Sequence, residues 1–260
     1  MKKCGEEVSM FNLIRADLYR VWHGKEIKLC CLLTVVWVVL CGYAISATAG
    51  MREALAGTQL TTKYWNTFFC YYPVVLPQVV FCSYYAANDF KQRTVTHYIE
   101  KGISRWKYYF SKLMVGWLIS VLFLILAFGA GIVCYQTFFS DSSEMAVTVN
   151  GVLLYVIGEA LCHMAVATFI ISMCFFIRNS TVCMAINFIC FFFGTFVLKG
   201  VNDLLNLDYD LVSLWAYGSV SGISLGGNVA ELQMAILIFA GYLIVFGEIT
   251  MLFFRKRDIA

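Results

Sequence analysis

An acid and a histidine lie four residues apart within a long apolar stretch of the chain. Glu159 and His163 are one helical turn apart, so in a helix they project from the same face and can share a proton or a hydrogen bond. Such a pair can form a metal or acid–base site inside the membrane, a polar contact within a helix bundle, or part of a cavity lining. The chain has no HExxH pattern, only three histidines and no second cluster of carboxylates. These features disfavour catalysis and favour the polar contact.

The second distinctive stretch is residues 88–113, NDFKQRTVTHYIEKGISRWKYYFSKL, where charge is concentrated. Only 13% of the 260 residues are charged, and 61% are hydrophobic. This stretch nevertheless holds two acids and, when its histidine is protonated, seven cations: Asp89, Glu100, Lys91, Arg93, His97, Lys101, Arg105, Lys107 and Lys112. Long apolar runs flank it on both sides. We therefore expect a charged segment between two membrane helices.

Apolar runs of about 20 residues recur along the chain, and each is long enough for a helix to cross the roughly 30 Å hydrocarbon layer. The sequence predicts an all-α integral membrane protein, a single membrane-spanning domain over residues 1–260. It comprises an arm at 1–28, six transmembrane helices within 29–254 and a tail at 255–260. The six predicted spans are Leu29–Ala49, Trp65–Ala86, Leu113–Phe138, Val152–Ile177, Thr181–Leu198 and Leu232–Phe254.

The distribution of lysine and arginine predicts the orientation, because these residues are retained on the cytoplasmic side. In a six-span arrangement, sixteen of the 19 fall on one side, within the arm, the 88–113 segment, the turn at Arg178 and the tail. Arg52, Lys63 and Lys199 fall on the other side. Both ends and the 88–113 segment are thus predicted to be cytoplasmic. This bias accounts for the net charge of +3 without a nucleic-acid partner.

The arm contains an amphipathic pattern, MFNLIRADLYRVWHGKE. Phe11, Ile14, Leu18 and the Val21–Trp22 pair recur at helical spacing. A basic amphipathic helix next to a first span is expected to lie in the membrane interface. It would anchor the topology, brace the first span as an elbow helix, or do both.

The only two prolines, Pro73 and Pro77, lie in the second predicted span and on one helical face. Each lacks a backbone donor and crowds the preceding turn, so we expect this helix to bend or break. Together with Glu159 and His163, they are candidates for a translocation path or the bundle interior.

Several chemistries are not expected of this chain. It has no GxxxxGK[ST] pattern and no soluble stretch large enough for a nucleotide-binding domain, so any ATP hydrolysis must occur on another chain. The eleven cysteines form no CxxC pattern, and all but Cys4 lie within or beside predicted spans, which favours small apolar fillers over metal ligands. We predict no bound cofactor, no metal and no catalytic residue.

The charged segment has its own local order. Thr94–Lys101 predicts a two-turn helix with Val95, Tyr98 and Ile99 on one side. Gly102 is a natural stop, and Ser104 is suited to cap a second helix that continues into the third span. An ordered amphipathic element with several aromatic residues is more typical of a docking surface than of a solvated loop.

At this point the sequence resembles the permease subunits of type-2 ATP-binding-cassette (ABC) exporters. In that family an acidic residue follows the second span, and then come a turn, a short apolar helix, G-x-S-R and a lysine. The matching positions are Asp89, Arg93–Thr94, Val95–Ile99, Gly102–Arg105 and Lys112. The closing FFRKRDI, residues 253–259, also looks like the end of such a chain. The sequence departs from the family at Arg93, where glycine is common.

The resemblance implies an elbow helix, six spans and a cytoplasmic coupling helix that contacts an ATPase. Val95, Tyr98, Ile99, Gly102, Ser104 and Arg105 would then couple to ATP hydrolysis. The implied partners are two separate ATPase subunits, a second permease subunit (identical or homologous), membrane lipid, and an amphiphilic cargo. A lantibiotic-like antimicrobial peptide is one such cargo; lipids, drugs and polysaccharide precursors are others.

Two other classes of function remain open. One is a non-ABC membrane scaffold or sensor that binds a cytoplasmic partner through the 88–113 segment. The other is an intramembrane enzyme that uses Glu159 and His163.

The orientation can be tested by labelling single cysteines in a cysteine-free version of the protein. Met145→Cys and Asp210→Cys should react with an impermeant thiol reagent in intact cells. His97→Cys and Arg178→Cys should react only after permeabilisation. External labelling at position 97 would overturn the predicted topology.

Overall fold

Long apolar helices make up most of the protein. A computed structural model describes residues 10–47, 73–138, 149–205, 210–220, 223 and 229–256. In chain order the helices are α1 Met10–His23, α2 Lys25–Ala47, α3 Val75–Lys91, α4 Thr94–Glu100, α5 Arg105–Phe138, α6 Val149–Ile177, α7 Ser180–Leu205, α8 Leu211–Leu214, α9 Ala216–Val220 and α10 Val229–Lys256. The described parts of the chain contain no strand. The prediction of an all-α membrane protein is confirmed.

Five of these helices are long and apolar enough to cross a membrane: α2, α5, α6, α7 and α10. Helices suit this environment because every backbone donor and acceptor in hydrocarbon must be satisfied within the segment. The second predicted span, Trp65–Ala86, is described only from residue 73, where α3 supplies 17 residues. Its first part, and the parts of the arm and tail at 1–9 and 257–260, lie outside the described residues.

Helix α6 occupies the centre of the bundle. It packs against α3, α5, α7, α9 and α10. Of its most apolar 18-residue window, 67% is buried within the protein, compared with 17% for α7 and 22% for α10. Helices α5, α7 and α10 therefore surround α6 together with α3, while α2 packs against α3 and α5. The long helices other than α6 expose apolar side chains outward, as expected of surfaces that face lipid.

Helix α1 lies against the bundle through one stripe of side chains. Its buried residues are Leu13, Asp17 and Val21, which are four residues apart. Phe11 and Trp22, which the sequence pattern placed on the apolar face, are 71% and 65% exposed. The buried face is therefore rotated relative to the prediction, and it includes a carboxylate.

The two prolines lie at the beginning of the described helix α3. Pro73 is in a turn, α3 starts at Val75, and Pro77 falls within its first turn. A missing backbone donor costs little there, because the first helical N–H groups have no intrahelical partner. The described residues thus show the prolines at a helix start, and both side chains are buried.

Close approach of α5 to its neighbours depends on small residues. A Cβ added at Gly116 would overlap the Ile171 side chain of α6, and one added at Gly42 of α2 would lie 3.0 Å from Cys134 Cβ. Such contacts let helices pack tightly where no hydrophobic force drives them together in lipid.

A larger residue at Gly116 should loosen the α5–α6 contact. Gly116→Val is expected to lower the free energy of unfolding in detergent by about 1–3 kcal/mol, the usual range for overpacking. Gly129→Val on the same helix is the matched control, since nothing lies within 4 Å of its added Cβ. It should change the free energy by about 0.5 kcal/mol or less. Equal losses in the two variants would show that the close approach at Gly116 is unimportant.

Candidate functional site

Four charged side chains meet where α1, α3 and α5 converge, and we call them the ionic cluster: Asp17, Arg20, Asp89 and Lys112. Lys112 Nζ lies 3.0 Å from Asp17 Oδ2 and 2.6 Å from Asp89 Oδ2. Arg20 Nη1 donates to Asp89 Oδ1 at 2.9 Å, and its Nη2 lies 3.4 Å from Asp17 Oδ1. Each carboxylate therefore faces both cations.

Two tyrosines complete the cluster. Tyr85 of α3 donates its hydroxyl to Asp17 Oδ2 at 3.0 Å, and Tyr108 of α5 donates to Asp89 Oδ2 at 2.7 Å. The Lys112 ammonium also lies 4.4 Å from the ring centroid of Tyr85 and 5.3 Å from that of Tyr108. The ring faces attract the cation and so add to the two carboxylates.

The cluster has equal numbers of positive and negative charges and is almost fully buried. The Lys112 side chain is 0% exposed and the two carboxylates 2–3%, whereas Arg20 is 42% exposed. Burial disfavours the charged form of Asp89, but Lys112 and Arg20 outweigh it and hold the pKa of this carboxyl below its usual value. Asp89 is thus ionised at neutral pH, and loss of one partner would leave a buried charge uncompensated.

Helix α4, Thr94–Glu100, follows directly after α3, as predicted for the charged segment. It is preceded by Arg93, whose backbone is left-handed with φ 56°. This is the position where the sequence departs from the usual glycine. In the left-handed conformation a residue with a side chain costs about 1 kcal/mol relative to glycine. The structure therefore gives a physical reason why glycine is common at this turn.

The end of α4 is closed by two backbone hydrogen bonds of the Schellman type. Gly102 N donates to Ile99 O at 2.9 Å, and Ile103 N donates to Tyr98 O at 3.1 Å. Gly102 has φ +85°, which a side chain would strain. The predicted stop at Gly102 is confirmed.

Helix α5 begins with the predicted cap. Lys107 N donates to Ser104 Oγ at 3.3 Å. Arg105 donates to the backbone carbonyls of Phe254 and Arg255, the latter at 2.8 Å, near the C-terminal end of α10. The guanidinium thus satisfies carbonyls that have no intrahelical partner and lies at the negative end of the helix dipole.

The apolar side of α4 packs against the bundle of the same chain. Val95 is 1% exposed, and Tyr98 and Ile99 are partly buried against the core of the same chain. The Tyr98 ring lies 5.8 Å from that of Tyr108. The sequence pattern identified the apolar side correctly, and Val95 holds α4 onto the bundle. Contact of this side with an ATPase stays a prediction, for which Tyr98 and Ile99 keep some exposed surface.

The exposed side of the segment is polar and mainly basic. Its exposed residues are Lys91, Gln92, Arg93, His97, Glu100, Lys101, Gly102, Ser104 and Trp106. We call the connection from α3 through α4 to α5 the junction, and this set of residues its outer surface. It can contact an acidic partner without disturbing the residues that fix α4.

The other predicted pair lies deep in the bundle. Glu159 and His163 are 0% and 1% exposed, and Glu159 Oε2 lies 3.9 Å from His163 Nε2. His163 also contacts Gln78 of α3. Glu159 and His163 therefore project from the same face of α6, as predicted. The pair shares no residue with the ionic cluster.

Sequence reasoning missed Asp17 and Arg20 as site residues. The spacing of Asp17 from Leu13 and Val21 places it on their buried face. The available signal was a single acid within the amphipathic helix α1, Met10–His23. Asp89 and Lys112 were identified from the resemblance. The ion pair between them and their contacts with α1 were not predicted.

Comparison with known families gives one match. Residues 39–260 match the model described as "Protein of unknown function (DUF2705)". The chain belongs to the DUF2705 family. No curated protein gives a significant match to the chain. The matched range of this DUF2705 protein includes Asp89 and Lys112, and α1 with Asp17 and Arg20 precedes it.

Removing the central cation should destabilise this DUF2705 protein strongly. Lys112→Met keeps a long apolar stem but leaves two buried carboxylates facing Arg20 alone. We expect a loss of about 3–5 kcal/mol in the free energy of unfolding in detergent. Lys91→Met, at an exposed lysine of α3, should change it by about 0.5 kcal/mol or less.

A second variant separates charge balance from packing. Asp17→Asn combined with Lys112→Met removes one charge of each sign and leaves Asp89 paired with Arg20. It should recover part of the stability lost in Lys112→Met. A double variant that is less stable than Lys112→Met would show that charge balance is not what the cluster provides.

Proposed function

We propose that this DUF2705 protein is the membrane-spanning permease subunit of an ABC exporter. It would carry six spans, with an elbow helix at α1, a coupling helix at α4, and both termini in the bacterial cytoplasm. The observation that supports this most directly is the junction. Its short helix α4 is held between α3 and α5 and has a charged outer surface. A loop that served only as a topology signal would need no such ordered connections.

The contacts of α4 suit it to pass movement to the membrane helices. Its inner side is packed through Val95, and its two ends continue into α3 and α5 through tight turns. Just beside these turns, the ionic cluster joins α3 and α5 to α1. A force applied at the outer surface would therefore move these helices together and would not simply bend a loop.

A third connection extends the same unit to α10. Arg105 follows Ser104 directly and binds the last carbonyls of α10. Helix α10 in turn packs along the central helix α6. Movement of the junction would thus reach the centre of the bundle by two routes, through α3 and α5 and through α10.

The partners proposed for this function are two separate ATPase subunits and a second permease subunit, identical or homologous. ATP hydrolysis would take place on the ATPase subunits, so this chain itself would not be an enzyme. The basic outer surface favours an ATPase surface that carries acidic groups around the contact. An amphiphilic cargo, such as a lantibiotic-like antimicrobial peptide, is proposed from the sequence resemblance, and membrane lipid would surround the exposed apolar faces.

The docking proposal is tested on exposed residues, so that the fold is not disturbed. His97→Asp combined with Lys101→Glu reverses the charge of the outer surface while leaving Val95, Tyr98 and Ile99 in place. The complex is purified from gently solubilised membranes of the native host, and its subunits are identified by mass spectrometry. An ATPase with a P-loop should accompany the unaltered protein and be bound at least about tenfold more weakly by the variant, since like charges across an interface are costly.

Lys199→Glu is the control. Lys199 is an exposed residue of α7, and the predicted topology places it on the opposite side of the membrane from the junction. It should keep the ATPase, and both variants should retain the thermal stability of the unaltered protein. Full retention of the ATPase by the charge-reversed variant would refute docking at this surface. Recovery of a cytoplasmic protein without a P-loop, in place of an ATPase, would favour the scaffold or sensor function instead.

A further inference from the structure

A chain of hydrogen bonds crosses three helices in the interior of the bundle. The Gln78 amide nitrogen donates to Ser120 Oγ of α5 at 2.8 Å and to the backbone oxygen of His163 in α6 at 2.7 Å. The same glutamine places its Oε1 3.2 Å from His163 Nδ1. All three side chains are buried.

These contacts fix which ring nitrogen of His163 carries a hydrogen. Both amide hydrogens of Gln78 are used by Ser120 and the His163 carbonyl, so its Oε1 is the atom that faces the imidazole. An amide oxygen only accepts, and His163 Nδ1 must therefore donate. In the neutral ring, Nε2 then carries a lone pair and no hydrogen.

That lone pair faces Glu159. His163 Nε2 and both Glu159 oxygens are buried, and within the described part of the chain none of them has a hydrogen-bond partner. His163 Nε2 lies 3.9 Å from Glu159 Oε2, so a hydrogen bond between them requires the two atoms to approach by about 1 Å.

Without a proton the site would be unfavourable. An ionised carboxylate with no partner at this depth is costly, and next to a lone pair it would face repulsion as well. A single added proton changes both: the carboxyl group becomes neutral, and its hydroxyl can donate to Nε2, which gives that oxygen and the ring nitrogen a partner. A metal ion fits less well, because no group of three or more candidate ligands occurs among the described residues.

We propose that Glu159 and His163 form a proton-binding site within the membrane, which holds one exchangeable proton between the carboxyl group and Nε2. Transfer within the pair breaks the carboxyl O–H bond and forms an Nε2–H bond, giving a carboxylate beside an imidazolium with no change in total charge. Release passes the proton to water that enters when α3, α5 and α6 separate. The site is thus a candidate for coupling a proton to movement of these helices, and it does not depend on the identity of any ATPase partner.

Infrared difference spectroscopy of the purified protein in lipid tests this inference. At neutral pH the unaltered protein should show the carbonyl stretch of a protonated carboxylic acid. Glu159→Gln, which keeps a neutral side chain of similar shape, should lack that band and still fold. Glu248→Gln, which removes an exposed carboxyl from α10, should keep it.

Two further measurements address exchange and the role of His163. The band should move to lower frequency in D₂O, because the proton exchanges with solvent. It should move to higher frequency in His163→Leu, because the acid then loses its hydrogen-bond acceptor. Absence of the band in the unaltered protein, its survival in Glu159→Gln, or its insensitivity to D₂O would each overturn the proposal, even if His163→Leu fails to fold.

Discussion

The structure at the membrane boundary depends on one buried ammonium group. Lys112 has no exposed surface, and it is held by carboxylates from two other helices and by two aromatic rings. A lysine buried this completely is tolerated only because its charge is compensated at short range. The position of α1 against the bundle, and the spacing of α3 from α5, follow from the requirement that both carboxylates reach it.

This requirement gives the junction a defined shape. Helix α4 connects α3 to α5 over a short distance, with a left-handed residue before it and a glycine stop after it. Its apolar side turns toward the core, where Val95 and the ring of Tyr98 are held. The charged side chains that make the segment conspicuous in sequence divide into two groups. Asp89 and Lys112 are internal and structural, whereas His97, Lys101 and their neighbours remain available to a partner.

Features set by near neighbours in the chain were predictable from the sequence. The cap at Ser104, the stop at Gly102 and the shared face of Glu159 and His163 all depend on spacing of a few residues. Features set by tertiary packing were not. The apolar periodicity of α4 shows that one side is apolar but not whether that side meets its own chain or another. Asp17 and Gln78 could not be identified, because their partners on other helices lie 68–95 and 42–85 positions away.

The separation between Asp17 and Lys112, 95 positions, bears on how the protein is made. A ribosome releases α1 and α2 well before it synthesises α5, so for that interval Asp17 and Arg20 have no lysine to meet. During that interval the half-exposed Arg20 is the one cation of the cluster beside Asp17, so burial of the carboxylate is unfavourable and α1 is expected to stay at the aqueous surface of the membrane. Its docking is therefore a late step of biogenesis, timed by the arrival of Lys112, and truncated nascent chains that end before α5 should carry an undocked α1.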